Sequence, residues 1–155
     1  MTRKPTMKTF AFALMAVAGF AVLTVGWDAG VASVSASSDK GRKLHVTKEC
    51  SNYNGTAGSF CTITSSNLTE LKVGSTVFYD QAAGIPAGLL DSNVVLDAGE
   101  GNRAVGRCTL ELATGLGLCT FSDGTGEFAG FNARVRVTPP DDGENWHWEG
   151  TYSFD

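Results

Sequence analysis

Phe121-Ser-Asp-Gly-Thr-Gly-Glu-Phe-Ala-Gly-Phe131 carries glycines at 124, 126 and 130, one residue out of step with the G-x-G-x-x-G dinucleotide fingerprint. A phosphate cradle needs such glycines to lead from a strand into a helix N-terminus, where backbone N–H groups and the helix dipole hold the anion. Here the glycines lead instead into Phe128-Ala-Gly-Phe-Asn-Ala-Arg-Val-Arg-Val137, in which Ala129, Phe131, Ala133, Val135 and Val137 alternate with Gly, Asn, Arg and Arg. That period of two belongs to a strand with one buried face. The stretch therefore reads as a corner between strands. Asp123-Gly124 is its hairpin signal, Gly126 supplies a positive φ, and Gly130 allows a bulge or close backbone approach.

The same period governs the end of the chain. In Asn145-Trp-His-Trp-Glu-Gly-Thr-Tyr-Ser-Phe154, positions 146, 148, 152 and 154 are aromatic, and 147, 149, 151 and 153 are His, Glu, Thr and Ser. No comparable helical period occurs after residue 40. Extended runs are predicted near 44–50, 60–66, 73–80, 92–97, 104–112, 116–122, 127–138 and 146–154. Their joints carry turn chemistry at Asn54-Gly55, Gly84-Ile-Pro86, Gly99-Glu-Gly-Asn102 and Pro139-Pro-Asp-Asp-Gly143. Eight short antiparallel strands form a closed barrel or a two-sheet sandwich, and closure removes exposed edges. The expected fold class is all-β.

Upstream of this domain, Arg3, Lys4 and Lys8 precede the uncharged apolar run Phe10–Val25 of 16 residues, and Val34-Ser-Ala36 offers small residues before a cleavage point. This is the layout of a secretory signal. The run falls short of the roughly 20 residues a spanning helix needs, so no membrane anchor is expected after cleavage. The expected organisation is a signal peptide at 1–36, a frayed polar segment at 37–43 and a single domain at 44–155. Cleavage after Ala36 would leave 119 residues, enough for one domain with a modest core. Of 12 basic and 16 acidic residues, three and one leave with the signal, so 9 stand against 15, a net charge of −6. With no basic run after Lys43, nucleic-acid binding is not expected.

All four cysteines, Cys50, Cys61, Cys108 and Cys119, fall in the mature part at C-x10-C spacing. Metal sites bring ligands closer together than this, and an even count in an exported chain favours disulfides. Three connectivities are possible, and pairs 50–61 and 108–119 are favoured. Folding 107–112 back on 115–120 about Ala113-Thr114 sets Cys108 opposite Cys119, with Leu110, Leu112 and Phe121 on the same face.

A glycine turn of the form G-T-G-x-[FY]-x-G leading into a long strand, here Gly124-Thr-Gly-Glu-Phe-Ala-Gly130, resembles the allene oxide cyclase barrel-like and dirigent-like proteins. The export signal, the Val105-Gly-Arg-Cys108 strand and the aromatic last strand agree with that resemblance. It implies an eight-stranded antiparallel barrel with a hydrophobic cavity, and cyclase or isomerase chemistry in which the barrel controls substrate conformation. Dirigent-like relatives often associate. No catalytic pattern of the family matches specific positions of this chain.

The strand faces define the candidate site residues. Tyr79 and Asp80 are neighbours on one strand, so only one of them points inward, and Tyr79 is the candidate. Glu111 is a second polar candidate, although it shares with Arg107 the face opposite Cys108 and Leu110, where a solvated position is the ordinary outcome. Trp146, Trp148 and Tyr152 are candidates to wall a small hydrophobic ligand, against the alternative that such a stripe simply packs the core. His147 alternates away from the tryptophans, and Asn132, Arg134 and Arg136 share a wet face. The oxygen-rich loop at Asp141, Asp142, Glu144 and Asn145 lacks the spacing of a twelve-residue calcium loop, and no metal or cofactor is expected. Asn54-Gly-Thr56 and Asn67-Leu-Thr69 match the glycan acceptor pattern. The alternative to a ligand-binding barrel is a secreted interaction module with a filled interior.

Overall fold

A computed structural model describes residues 41–84, 87–141 and 143–155. The secretory-signal reading of residues 1–36 and the turn cues at Ile85, Pro86 and Asp142 lie outside the described residues. Eight strands appear in the predicted places: β1 (Arg42–Glu49), β2 (Phe60–Ser66), β3 (Thr76–Tyr79), β4 (Leu89–Asp97), β5 (Arg103–Glu111), β6 (Gly117–Thr125), β7 (Phe131–Thr138) and β8 (Asn145–Phe154). Each pairs with the next, and β8 returns antiparallel to β1, so the sheet closes into a barrel. The seam sets Val46 opposite Trp148 and Arg42 opposite Tyr152.

Several strand starts differ from the sequence reading, each for a local reason. The first strand begins at Arg42 rather than 44, because Arg42 pairs with Tyr152 and lays its guanidinium 4.6 Å from the centre of that ring. The third begins at Thr76 rather than 73. Val73 is 70% exposed, and the Ser75 N–H donates to the Lys72 carbonyl at 3.1 Å, closing a turn before the strand. The fourth begins at Leu89 rather than 92, because the far end of β5 extends its pairing to Leu89 opposite Glu111. The seventh begins at Phe131 rather than 127, because Gly126–Phe128 forms a single 3-10 turn.

That turn relocates the corner. Asp123-Gly124 is not the hairpin tip. β6 continues through both residues, and Gly124 sits opposite Ala104. A Cβ on Gly124 would lie 2.2 Å from the Phe128 carbonyl oxygen and 2.8 Å from that of Arg103. The reversal itself runs from Gly126 (φ 61°) to Gly130 (φ 75°), two conformations that favour glycine. Asn102 Oδ1 accepts the Glu127 N–H at 3.0 Å, and the Gly130 carbonyl accepts the Asp155 N–H at 3.0 Å. The glycine-rich stretch thus ties together strand ends and opens no helix long enough to hold a phosphate.

Both disulfides form as favoured, Cys50–Cys61 and Cys108–Cys119, and Cys108 lies directly opposite Cys119 in the β5–β6 register. Leu112 departs from the face expected for it. β5 ends at Glu111, and Leu112 turns out to 38% exposure while its N–H donates to the Gly88 carbonyl at 2.8 Å.

Alternation sends Leu44, Ile63, Val77, Leu96 and Val135 into the barrel, each 2% exposed or less. Burial of such a side chain contributes about 1.5–3 kcal/mol relative to leaving it in water. One end of the barrel is closed by Leu68 and Leu71 from the β2–β3 connection and by Phe128 from the corner, whose ring packs 5.3 Å from that of Phe131. The opposite end gathers the last residues of β1, β3 and β5 and the first of β2, β4 and β8. The candidate site lies there.

Candidate functional site

The phase of β1 decides the chemistry. Leu44 and Val46 point inward, and two residues on so does Lys48, only 3% exposed. Its Nζ donates to Tyr79 Oη at 2.5 Å and stands 3.6 Å from Cys61 Sγ. The ammonium position also lies 5.0 Å from the Trp148 ring centre and 5.2 Å from that of Tyr79. Among the described residues no carboxylate pairs with it. A charged amine removed from water without a counter-ion is costly, so burial lowers its pKa from the ordinary 10.5 to about 7. Burial raises the Tyr79 phenol, with a further push from Tyr53, so Tyr79 stays neutral throughout the ordinary pH range. The Tyr53 phenol is raised by burial as well.

These groups face a cavity of about 60 Å³, partly open to solvent, lined by Lys48, Cys50, Tyr53, Cys61, Tyr79, Leu90, Leu110 and Trp146. Tyr53 arrives from the connection after Cys50, which the disulfide to Cys61 pins to β2. Its ring meets Tyr79 edge-on at 5.1 Å, and its hydroxyl is buried without a hydrogen-bond partner among the described residues. The cavity is thus an apolar recess with an amine and two phenols at its polar points.

Of the residues singled out from the sequence, Tyr79 is where it was expected: it points inward, 3% exposed, and Asp80 points out. Glu111 is not in the site. It lies exposed at the end of β5 and accepts the Thr114 hydroxyl at 2.8 Å, because its strand face is the outer one. Arg107 on the same face forms a two-pronged pair with Asp91 at 2.8 and 2.7 Å.

The three aromatic candidates are not brought together as one wall. Trp146 lines the cavity. Trp148 is 1% exposed and does not line the cavity; it packs in the core, 5.6 Å from the Phe121 ring. Tyr152 belongs to the far end of the barrel, among Phe131, Phe154 and Arg42. The reason is geometric: the six-residue step from Trp146 to Tyr152 spans about 20 Å, most of the length of the ten-residue strand β8. A shared face therefore does not imply a shared pocket.

His147 lies outside the barrel with Nε2 3.0 Å from Asp141 Oδ1, and His45 Nδ1 contacts Glu149 on the outer β1–β8 surface. Among the described residues no three His, Cys, Asp or Glu side chains are arranged to hold a metal ion. Both asparagines of the glycan acceptor patterns are engaged: Asn54 Oδ1 accepts the Ser59 hydroxyl at 2.7 Å, and Asn67 Nδ2 donates to the Lys43 carbonyl at 3.0 Å.

Lys48 was missed in the sequence reading, although its signal was present. In Leu44-His-Val-Thr-Lys48 the lysine is in phase with two aliphatic residues, and that phase places it inside. No family model, no curated protein and no solved structure matches this chain.

Proposed function

We propose that the protein is an exported barrel that takes a small apolar molecule bearing an oxygen acceptor into its end cavity, with Lys48 as the polar anchor. The observation that carries this reading is a buried amine, unpaired with any carboxylate among the described residues, facing an otherwise apolar recess. A packed core gains nothing from such a group, whereas a ligand oxygen in the recess would give the amine an acceptor beyond Tyr79. Two disulfides suit an oxidising compartment, and among the described residues no helix is long and apolar enough to cross a membrane.

The size of the recess bounds the ligand. About 60 Å³ equals the share of roughly two waters in the liquid, so the recess takes a small molecule or the head of a longer one. That supports binding of a small group more than the folding of a long substrate by a cyclase or isomerase of the allene oxide cyclase barrel-like type. The second reading is a secreted interaction module, favoured by the side chains that fill the barrel below the cavity, among them Ile63, Val77 and Val135.

Native mass spectrometry and tryptophan fluorescence with a series of short aldehydes, ketones, amides and carboxylates test the proposal. Retention or quenching that disappears in Lys48→Met supports it. No response to any compound of the series leaves the interaction module as the better account.

A further inference from the structure

We infer that Lys48 is a carbonyl-capturing amine, condensing with a small aldehyde in the end cavity to form an imine. This rests on the ligand-binding reading above and names its substrate class.

Four observations converge. The first is the state of the amine. Buried, with no counter-ion among the described residues, Lys48 titrates at about 7, so at neutral pH a large fraction carries a free lone pair. A solvent-exposed lysine is neutral in only about one molecule in a few thousand at that pH. Desolvation of a lysine in an apolar pocket is a recognised way to make it nucleophilic. The second is space. The cavity admits about two waters' volume, which suits a carbonyl carbon, its oxygen and one or two further carbons.

The third is proton handling. Tyr79 Oη lies 2.5 Å from Nζ, and burial keeps its phenol protonated. The fourth is the lack of rivals. Cys50 and Cys61, the two sulfurs lining the cavity, are bonded to each other, so no thiolate competes for the carbonyl carbon. Among the described residues, the other titratable groups lining the cavity are Tyr79 from β3 and Tyr53 from the β1–β2 connection. Neither carries charge at neutral pH.

The step balances without oxidant or reductant. The Nζ lone pair forms an N–C bond to the carbonyl carbon, and the C=O π pair moves to oxygen. Tyr79 gives that oxygen a proton and recovers one from nitrogen, leaving a neutral carbinolamine. The C–O bond then breaks, the nitrogen lone pair forms C=N, and the departing hydroxyl takes the second amine hydrogen. Amine and aldehyde become imine and water. The apolar lining from Leu90, Leu110 and Trp146 limits the return of water to the C=N bond.

The test incubates the disulfide-bonded protein with propanal and cyanoborohydride at pH 7, then maps alkylated lysines by peptide mass spectrometry, with the chain's α-amine scored separately. Lys48 is expected to be labelled at least about tenfold faster than exposed Lys43 and Lys72, and that preference should shrink as the pH rises towards 10 and the exposed amines lose their protons. Labelling of Lys43 and Lys72 with Lys48 unmodified overturns the inference. Propanamide, which has the shape but cannot condense, separates the two levels. If it is retained while Lys48 resists propanal, imine formation falls and the binding reading stands. If neither compound engages the cavity, both fall. Tyr79→Phe is expected to slow labelling of Lys48 while propanamide is still retained; equal loss of both assigns Tyr79 to binding alone.

Discussion

Lys48 Nζ and Tyr79 Oη meet at 2.5 Å inside the barrel, one from β1 and one from β3, two strands apart in the wall. The contact joins an amine that burial discharges to a phenol that burial keeps protonated. Among the described residues, no carboxylate pairs with the amine and no cationic side chain other than Lys48 itself faces the phenol. The pair therefore makes the stability of the whole barrel depend on pH.

Lys48 should weaken the fold most at low pH. Its folded pKa of about 7 lies below the unfolded 10.5, so between these values the unfolded chain binds more protons. Stability from this group accordingly rises as the pH climbs through that window, and below it the full penalty, at most about 5 kcal/mol, applies. Lys48→Met is expected to be more stable than the parent protein at pH 6, with the gap closing towards pH 10. Urea unfolding of both proteins at pH 6, 8 and 10 checks this. A constant difference would mean that the lysine stays charged in the folded state.

Trp146 and Trp148 stand two residues apart on β8 and should behave differently on truncation. Trp148→Ala removes a fully buried ring and is expected to cost about 3–5 kcal/mol in denaturant unfolding. Trp146→Ala opens the cavity wall, so its main effect should fall on retention of small ligands, with a smaller loss of stability. Equal stability losses would place both rings in the core.

Glu111→Gln should leave ligand retention and its pH dependence unchanged. The carboxylate is exposed on the outer face of β5 and bound to Thr114, and it is not among the residues lining the cavity. A shift in the pH profile of binding would show that its field reaches Lys48.

Gly150 lies between Trp148 and Tyr152, paired with Val135 where β8 runs antiparallel to β7. A Cβ there would sit 2.0 Å from the Arg134 carbonyl oxygen and 2.8 Å from the Val135 Cα. Both obstacles are backbone and cannot swing aside. Gly150→Ala is expected to lose about 1–3 kcal/mol or more, read from its unfolding midpoint.

Cys108→Ala with Cys119→Ala opens a loop of sequence separation 11 and should cost about 3 kcal/mol by loop entropy. The β5–β6 register pairs the same two positions through backbone bonds, so the barrel should still form, at a lower denaturant midpoint. Loss of all folded signal would show that the bridge, rather than the strand pairing, sets the register.

Much of this architecture is legible in the chain itself, because alternation is a local property. Trp146 to Phe154, Ala129 to Val137 and the C-x10-C hairpin each declare a strand or a pairing within a dozen residues. Those signals suffice for an all-β chain with Cys108 opposite Cys119, and they put Tyr79 and Asp80 on opposite faces. Where local cues compete, the sequence reading errs. Asp123-Gly124 resembles a hairpin tip, yet Gly124 pairs with Ala104 within β6, and the position is glycine because Phe128 and Arg103 crowd it too closely for any side chain.

Within the strands the sequence alone determined which side of the sheet a residue takes, because successive Cβ atoms in a strand point to opposite faces; Leu112 escaped that rule by lying just past the end of β5. Only the closed tertiary structure decided the height of each inward residue along the barrel axis, and so which of them share a cavity. Lys48, Tyr53, Tyr79 and Trp146 are distant in the chain, and they converge because strand stagger brings the ends of β1, β3 and β8 to one rim. Tyr152, on the same face as Trp146, is carried to the other rim by the same stagger.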